Sequence, residues 1–232
     1  FKYSETLVDA LAGEKGTFDE IWESMERDPH GPKIDIYKEL INHLGERATE
    51  SKLKALSAHG DLKRARILHF ATHGLLPDES EFGAEPALIL TPPQQASEDD
   101  DGLLTASEVA QLRLDADWVV LSACNTAAGD QVGSQSLSSL ARAFFYAGSR
   151  ALLVSHWYVD SHAAVALTTG AFAALKADPS SGRAEALRQA MLALIDKGDR
   201  AHPAYWAPFV VVGEGGAWHA PPHASPIASR PS

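Results

Sequence analysis

Compact runs of apolar residues, separated by turns and helix-like segments, begin near residue 67 and continue to residue 212. Within most runs the apolar residues are consecutive rather than alternating, which is typical of strands covered on both faces of a sheet. The pattern predicts five buried strands, at residues 67–72, 87–90, 118–123, 150–155 and 209–212.

Between these runs, apolar residues recur at helical spacing. Leu53 and Leu56 mark one face of a helix over 49–62, and Thr-Ala-Ser-Glu at 105–108 is a capping-box pattern that opens a short helix. Further helices are predicted at 138–146, ending at Gly148, at 160–176 and at 184–197. Strands alternating with helices predict an α/β fold with a largely parallel sheet between helix layers, and ligands are then expected at the carboxyl ends of the strands.

Three stretches fall outside this alternation. Residues 1–49 are polar and broken by Gly and Pro, residues 91–101 read as a loop, and residues 217–232 are rich in Pro, Ala and Ser. We predict an N-terminal helical or irregular segment at 1–49, one α/β domain at 50–216 and a disordered tail at 217–232.

The composition fits one globular domain and limits its partners. The 232 residues are 45% hydrophobic, and 31 acidic against 20 basic residues give a net charge of −11. This charge repels nucleic acid and anionic lipid unless a basic patch overrides it. The densest basic stretch, at 52–66, has helix-like spacing, and we interpret it as a solvated helix face. We predict neither nucleic-acid nor membrane binding.

Cysteine use and the lack of long apolar stretches predict a cytoplasmic protein. Cys124 is the only cysteine, which excludes an internal disulfide and any site with several cysteine ligands. No stretch suits a membrane span, and the first residues lack the features of a signal peptide. A chain that begins with Phe1 is expected to be part of a longer protein.

The acidic run at 98–101 would suit a hard cation, but a solvated loop is the favoured interpretation, and we predict no metal or organic cofactor.

Two residues able to do covalent chemistry directly follow predicted strands. His73 comes after the strand at 67–72, and Cys124 comes after the strand at 118–123. Parallel strands end at the same edge of a sheet, so neighbouring strands would bring the imidazole and the thiol together as a cysteine–histidine dyad. The N–H groups of Gly74 and Cys124 are candidates for an oxyanion hole. The alternative is that Cys124 is a small core residue; His69, inside its strand, is interpreted as a packed histidine.

Six ordered motifs resemble one known family, the CHAT domain family, which is related to caspases, separases and gingipains and is often fused to tetratricopeptide repeats. The motifs are HFATHG (69–74), DGLLTASEV (101–109), VVLSACNTAAGD (119–130), SLARAFFYAGSRALLVSHWYVD (139–160), AEALRQAM (184–191) and PAYWAPFVVVGE (203–214).

The resemblance implies a caspase-like α/β/α sandwich that hydrolyses a peptide bond without a cofactor. It implies that Cys124 is the nucleophile and His73 the general base. It also implies that Ser155, His156 and Trp157 run beside the substrate, whose extended backbone pairs with them. Trp157 is then either a pocket wall or an ordinary core indole.

The sequence departs from the family pattern near the substrate segment. His156 replaces the leucine of the usual Ser-Leu-Trp, and Asp160 is followed by Ser161 where the family often has a second acid. The resemblance to separases implies that Asp160 recognises a basic substrate residue; its position before Ser161 equally suits the N-cap of the following helix. After the nucleophile, Ala127 replaces the usual glycine.

Our leading hypothesis is a cysteine endopeptidase that cuts a specific protein partner in regulated proteolysis, as in bacterial defence. An upstream tetratricopeptide-repeat region or a regulatory protein is expected to gate it, with the loop at 91–101 as a lid. The alternatives are a caspase-like interaction module without useful turnover and another cysteine acyl hydrolase or transferase.

Overall fold

Four strands form the central sheet in a computed structural model that describes residues 48–75, 85–97, 99–121, 139–157, 160–198 and 200–216. In spatial order the strands are β1 (Ile67–Phe70), β5 (Trp118–Leu121), β6 (Ala151–Ser155) and β7 (Phe209–Gly213). The first three run parallel, and β7 pairs antiparallel with β6. The predicted α/β fold with a largely parallel sheet is confirmed. The expectations for residues 1–47 and 217–232 lie outside the described residues.

A second, antiparallel sheet lies beside the first. It consists of β2 (Gly74–Leu75), β3 (Ala87–Ile89) and β4 (Leu103–Thr105), with β3 in the middle. The apolar pattern predicted β3 but not its two short neighbours. β3 lies within a run of four apolar residues, whereas β2 and β4 contain only one and two, too few to indicate a strand.

Helices cover both faces of the central sheet. They are α1 (Glu50–His59), α2 (Ala106–Gln111), α3 (Ser139–Ala147), α4 (Ser161–Ala177), α5 (Arg183–Lys197) and the short α6 (Pro203–Trp206), with a 3₁₀ turn at Leu62–Arg64. One core cluster joins α1, α2 and α3 to the sheet, and a second joins α4 and α5 to its other face. The layers are therefore α/β/α.

Strand β5 explains why the apolar run at 118–121 has no alternation. Val119 and Leu121 lie in the first core cluster, whereas Trp118 and Val120 lie in the second. All four side chains are fully buried, because each face of the sheet is covered by helices. Trp118 also packs edge-to-face against Phe172 of α4, with ring centroids 5.2 Å apart.

Local signals fix two of the helix ends. Thr105 and Glu108 form the predicted capping box at the start of α2, each side chain bonding the backbone N–H of the other residue. Gly148, which follows α3, has φ of +112°, and a Cβ there would lie 2.5 Å from the carbonyl oxygen of Leu114. Only glycine fits this turn.

Ion pairs join the amino ends of the parallel strands. Asp117, directly before β5, is buried and pairs with Arg66, which precedes β1. Its other oxygen accepts from Nη1 of Arg150, which precedes β6, at 2.9 Å. Arg150 also pairs with the exposed Asp115 through Nη2 at 2.7 Å. One buried carboxylate thus links the starts of three strands.

A buried acid ties the loop after β3 to α1. Glu50 is fully buried and accepts from the N–H groups of Asp101 and Gly102 at 3.1 and 3.3 Å. Nζ of Lys54 lies 2.5 Å from Oε1 of Glu50 and 2.8 Å from Oε1 of Glu108. Burial raises the pKa of Glu50. Burial alone would also raise the pKa of Glu108, but hydrogen bonds from Lys54 and Thr105 outweigh it and lower that pKa.

These contacts correct the interpretation of the basic stretch at 52–66 as a plain solvated face. Lys63 and Arg64 are exposed as predicted, but Lys54 and Arg66 pair with carboxylates that hold separate segments together. The loop at 91–101 is also anchored at its first residue, because the N–H of Thr91 donates to the carbonyl of Ala48 at 3.0 Å.

None of the described helices combines the length and apolar character that crossing a membrane requires. Among the same residues, no cluster of three or more His, Cys, Asp or Glu is arranged to hold a metal ion. Glu98, part of the acidic run, lies outside the described residues.

His69 should make the protein less stable in mild acid. It is partly buried inside β1, and burial lowers the pKa of its imidazole from 6.5 to about 4. Because the unfolded chain takes up this proton first, stability is lost as the pH falls from about 6.5 towards 4, by up to about 3 kcal/mol. Urea unfolding of wild type and His69→Gln at pH 7 and pH 5 measures the effect. The variant should show a smaller loss between the two pH values; an equal loss would exclude His69 as its source.

Candidate active site

The carboxyl ends of β1, β5 and β6 meet at one edge of the central sheet. Phe70, the last residue of β1, pairs with Leu121, the last residue of β5. On the other side of β5, Val119 and Val120 pair with Leu152 and Leu153 of β6, which ends at Ser155. Strand β5 therefore lies between the strand that precedes His73 and the strand that precedes His156 and Trp157.

His73 lies just beyond the end of β1, with its side chain exposed. Its carbonyl oxygen accepts a hydrogen bond from the N–H of Ile89 in β3 at 2.9 Å. The hydroxyl of the preceding residue, Thr72, donates to the carbonyl oxygen of the same Ile89. The side chain before the histidine and the carbonyl of the histidine itself are thus both bonded to β3, while the imidazole is exposed.

Gly74 begins β2 and presents its N–H away from β3. The bond from Ile89 to His73 places Gly74 and Leu88 in a pair of the antiparallel ladder that exchanges no hydrogen bonds. The N–H and C=O of each residue in such a pair point outward. Strand β2 is an outer strand of the second sheet as described. The Gly74 N–H therefore points outward from that sheet, next to His73.

Cys124 lies outside the described residues, as do its neighbours from 122 to 138. The last described residue before it is Leu121, which is fully buried at the end of β5. The distance between the thiol and the His73 imidazole, and the position of the Cys124 N–H, therefore stay predictions.

The substrate segment combines one buried residue with two exposed ones. Ser155 is fully buried and pairs with Phe209 of β7. The N–H of His156 donates to the carbonyl of Pro208 at 3.0 Å, and the His156 side chain is exposed. Trp157 is 44% exposed, so the alternative of an ordinary core indole is wrong. It remains a candidate for a pocket wall at the surface.

Asp160 caps helix α4. Its Oδ1 accepts from the N–H of Ala163 at 2.9 Å, which is the geometry of an N-cap. The same oxygen lies 3.5 Å from Nε of Arg200. Of the two roles expected from the sequence, the structure shows the cap; recognition of a basic substrate residue is not tested by these contacts.

Replacing Asp160 should weaken helix α4. Asp160→Ala removes the acceptor for the Ala163 N–H and should lower the free energy of unfolding by about 1 kcal/mol. Asp160→Asn is the matched control, because an amide oxygen still caps the helix and should cost much less. Urea unfolding of both variants measures this, and equal losses would show that the charge, not the cap, stabilises the fold.

Sequence reasoning missed Thr72. Its hydroxyl bond to Ile89 joins residues 17 positions apart, so no local pattern predicts it. The available signal is a hydroxyl residue directly before the candidate histidine.

Comparison with known proteins identifies the family. The model of the CHAT domain family matches residues 32–214, well over half of the chain. Mouse tetratricopeptide repeat protein 28 is 35% identical over 115 residues, which are 48% of this chain but only 4% of that protein. The chain therefore spans a small part of that relative's length. It belongs to the CHAT domain family, a family related to the caspase-like cysteine peptidases.

Proposed function

We propose that the chain is a cysteine endopeptidase in which His73 activates Cys124. The observation that carries the proposal is the register of two neighbouring parallel strands: Phe70 pairs with Leu121, and the two candidate residues each follow by three positions. Adjacent strands lie about 4.8 Å apart, and three residues of chain reach at most about 11 Å. These lengths allow the Cys124 thiol and the His73 imidazole to come close enough for proton transfer.

The proposed reaction uses only groups of this chain and water. His73 takes the thiol proton, and the Cys124 thiolate attacks the carbonyl carbon of the substrate peptide bond. The electron pair of the C=O bond moves to the oxygen, which is stabilised by the N–H groups of Gly74 and Cys124. Collapse breaks the C–N bond, and His73 gives its proton to the leaving amine. Water activated by His73 then hydrolyses the thioester, which releases the acid and restores the thiol. The reaction needs no metal ion or organic cofactor.

We propose that the substrate lies along the carboxyl end of β6 and the residues that follow it. The exposed indole of Trp157 supplies an apolar wall next to the strand that precedes Cys124. His156 offers a polar side chain beside it, and Ser155, with its side chain buried, would take part through its backbone. In this proposal Asp160 selects a basic residue before the cleaved bond.

Selection by Asp160 has a separate test. Asp160→Ala should lower cleavage after Arg or Lys while the alkylation rate of Cys124 stays unchanged. If cleavage after Arg and after an apolar residue fall equally, the carboxylate only caps α4.

We also propose a domain order and a mode of control. Residues 50–216 form the peptidase domain, preceded by the segment at 1–49 and followed by the tail at 217–232. The mouse relative is named for tetratricopeptide repeats, which supports an upstream repeat region, or a regulatory protein, that controls access to a protein substrate. The setting is regulated proteolysis in the cytoplasm, as in bacterial defence, and the chain alone should cleave more slowly than the longer protein with its partner.

A peptide-based electrophile tests the peptidase proposal. Peptidyl acyloxymethyl ketones label the activated cysteine of a peptidase at its sulfur. We expect labelling of wild type at Cys124, and loss of labelling in His73→Ala. A wild type that reacts no faster than His73→Ala would instead indicate an interaction module. Labelling without cleavage of any peptide in a library would indicate a different acyl hydrolase.

A further inference from the structure

We infer that Thr72 is a positioning residue for His73: its hydroxyl, bonded to the Ile89 carbonyl, sets the backbone geometry from which the imidazole extends. The inference rests on the proposed function and adds a residue to its machinery.

The hydrogen-bond pattern around Ile89 carries the inference. In β3, the pairing of Ile89 with Leu103 directs the N–H and C=O of Ile89 towards the β2 side. A regular ladder would use both groups to bond the backbone of His73. The N–H does so, at 2.9 Å, but the C=O accepts from the hydroxyl of Thr72 instead.

Because the Ile89 carbonyl accepts from the Thr72 hydroxyl and not from the N–H of His73, the ladder ends at the histidine. Strand β2 begins at Gly74, one residue after His73, so His73 is held by its carbonyl but is not part of the strand. Thr72 is β-branched and stiff at χ1, so its hydroxyl fixes the backbone directly before the histidine. The two bonds to Ile89 together fix the backbone from which the exposed imidazole extends.

Chemistry at a dyad depends strongly on such orientation. The reacting groups must be held to within about 0.5 Å, and a misplacement of about 1 Å can cost on the order of 100-fold in rate. A residue that only stabilised the small sheet would change melting and leave the rate per folded molecule unchanged. A positioning residue would lower kcat with little change in KM or melting.

Two matched variants separate these roles. Thr72→Val keeps the size and the branching but loses the hydroxyl, whereas Thr72→Ser keeps the hydroxyl. We expect Thr72→Val to lower kcat for peptide cleavage by about 10- to 100-fold with KM within about twofold. Thr72→Ser should stay within about threefold of wild type. Melting temperatures, measured on the same samples, should differ little among the three proteins.

A second readout does not depend on turnover. The ring signal of His73 in ¹H–¹³C spectra, assigned by its loss in His73→Ala, should move in Thr72→Val and stay in place in Thr72→Ser, while the His69 signal is unchanged in both. If the wild type cleaves nothing, the proposed function fails, yet this spectrum still decides the positioning role. An unmoved His73 signal in Thr72→Val overturns the inference, and so does a Thr72→Ser variant as impaired as Thr72→Val.

Discussion

His73→Ala and Cys124→Ala should each lower kcat/KM for peptide cleavage by on the order of a thousandfold or more, and the double variant should be scarcely worse than either single. The reason is that the thiol and the imidazole act as one unit. Without the imidazole the thiol keeps its proton at neutral pH, and without the thiol the imidazole has no nucleophile to activate.

The control for this comparison is His59→Ala. His59 is exposed at the last turn of α1 and has no role in the proposed reaction, so its loss should leave cleavage unchanged. Thermal melting of all four variants shows whether each is folded. Substantial cleavage by Cys124→Ala would exclude it as the nucleophile, and losses that multiply in the double variant would show that the two residues act independently.

Asp117→Ala should be among the most destabilising single substitutions, with a loss of about 3 kcal/mol or more. Asp117 is buried at the amino ends of the parallel strands, where it pairs with both Arg66 and Arg150. Its removal leaves two guanidinium groups without their shared carboxylate, one of them, Arg66, only about a quarter exposed. Guanidinium groups stay charged in proteins, so they cannot avoid this cost by losing a proton.

Asp115→Ala provides the matched control for Asp117→Ala. Asp115 pairs with the same Arg150, but its side chain is 60% exposed, and an exposed pair contributes less than about 1 kcal/mol. Urea unfolding of both variants measures the difference. Equal losses of unfolding free energy in the two variants would show that the burial of Asp117 adds nothing to stability. Because the ion pairs lie at the edge of the sheet opposite His73, folded Asp117→Ala should keep its alkylation rate at Cys124.

The apolar pattern predicted the strands because burial on both faces shows in the sequence, but it did not predict their partners. Trp118 to Leu121 must be apolar at every position between two helix layers. The direction of β7 and the assignment of β3 to a second sheet depend on contacts between distant segments, which a local pattern does not record. The capping box was predictable because its two members, Thr105 and Glu108, lie only three residues apart.

The candidate site was likewise only partly predictable from the sequence. Parallel geometry predicted that His73 would follow the end of a strand next to the strand that precedes Cys124, and the pairing of Phe70 with Leu121 agrees with this. The attachment of Thr72 to Ile89 was not predictable, because Thr72 lies in the connection between β1 and β2 and its partner is 17 positions away in β3. The two roles of Asp160 were equally open from sequence, since a carboxylate before a helix suits both a cap and a cation.

The alkylation rate of Cys124 as a function of pH tests the central claim most directly. Iodoacetamide reacts with the thiolate, and Cys124 is the only cysteine, so mass spectrometry follows one event. If His73 activates Cys124, the wild type should react rapidly well below pH 8, whereas His73→Ala should follow a single titration near the ordinary thiol pKa of about 8.5. Superimposable profiles for the two proteins would contradict the account.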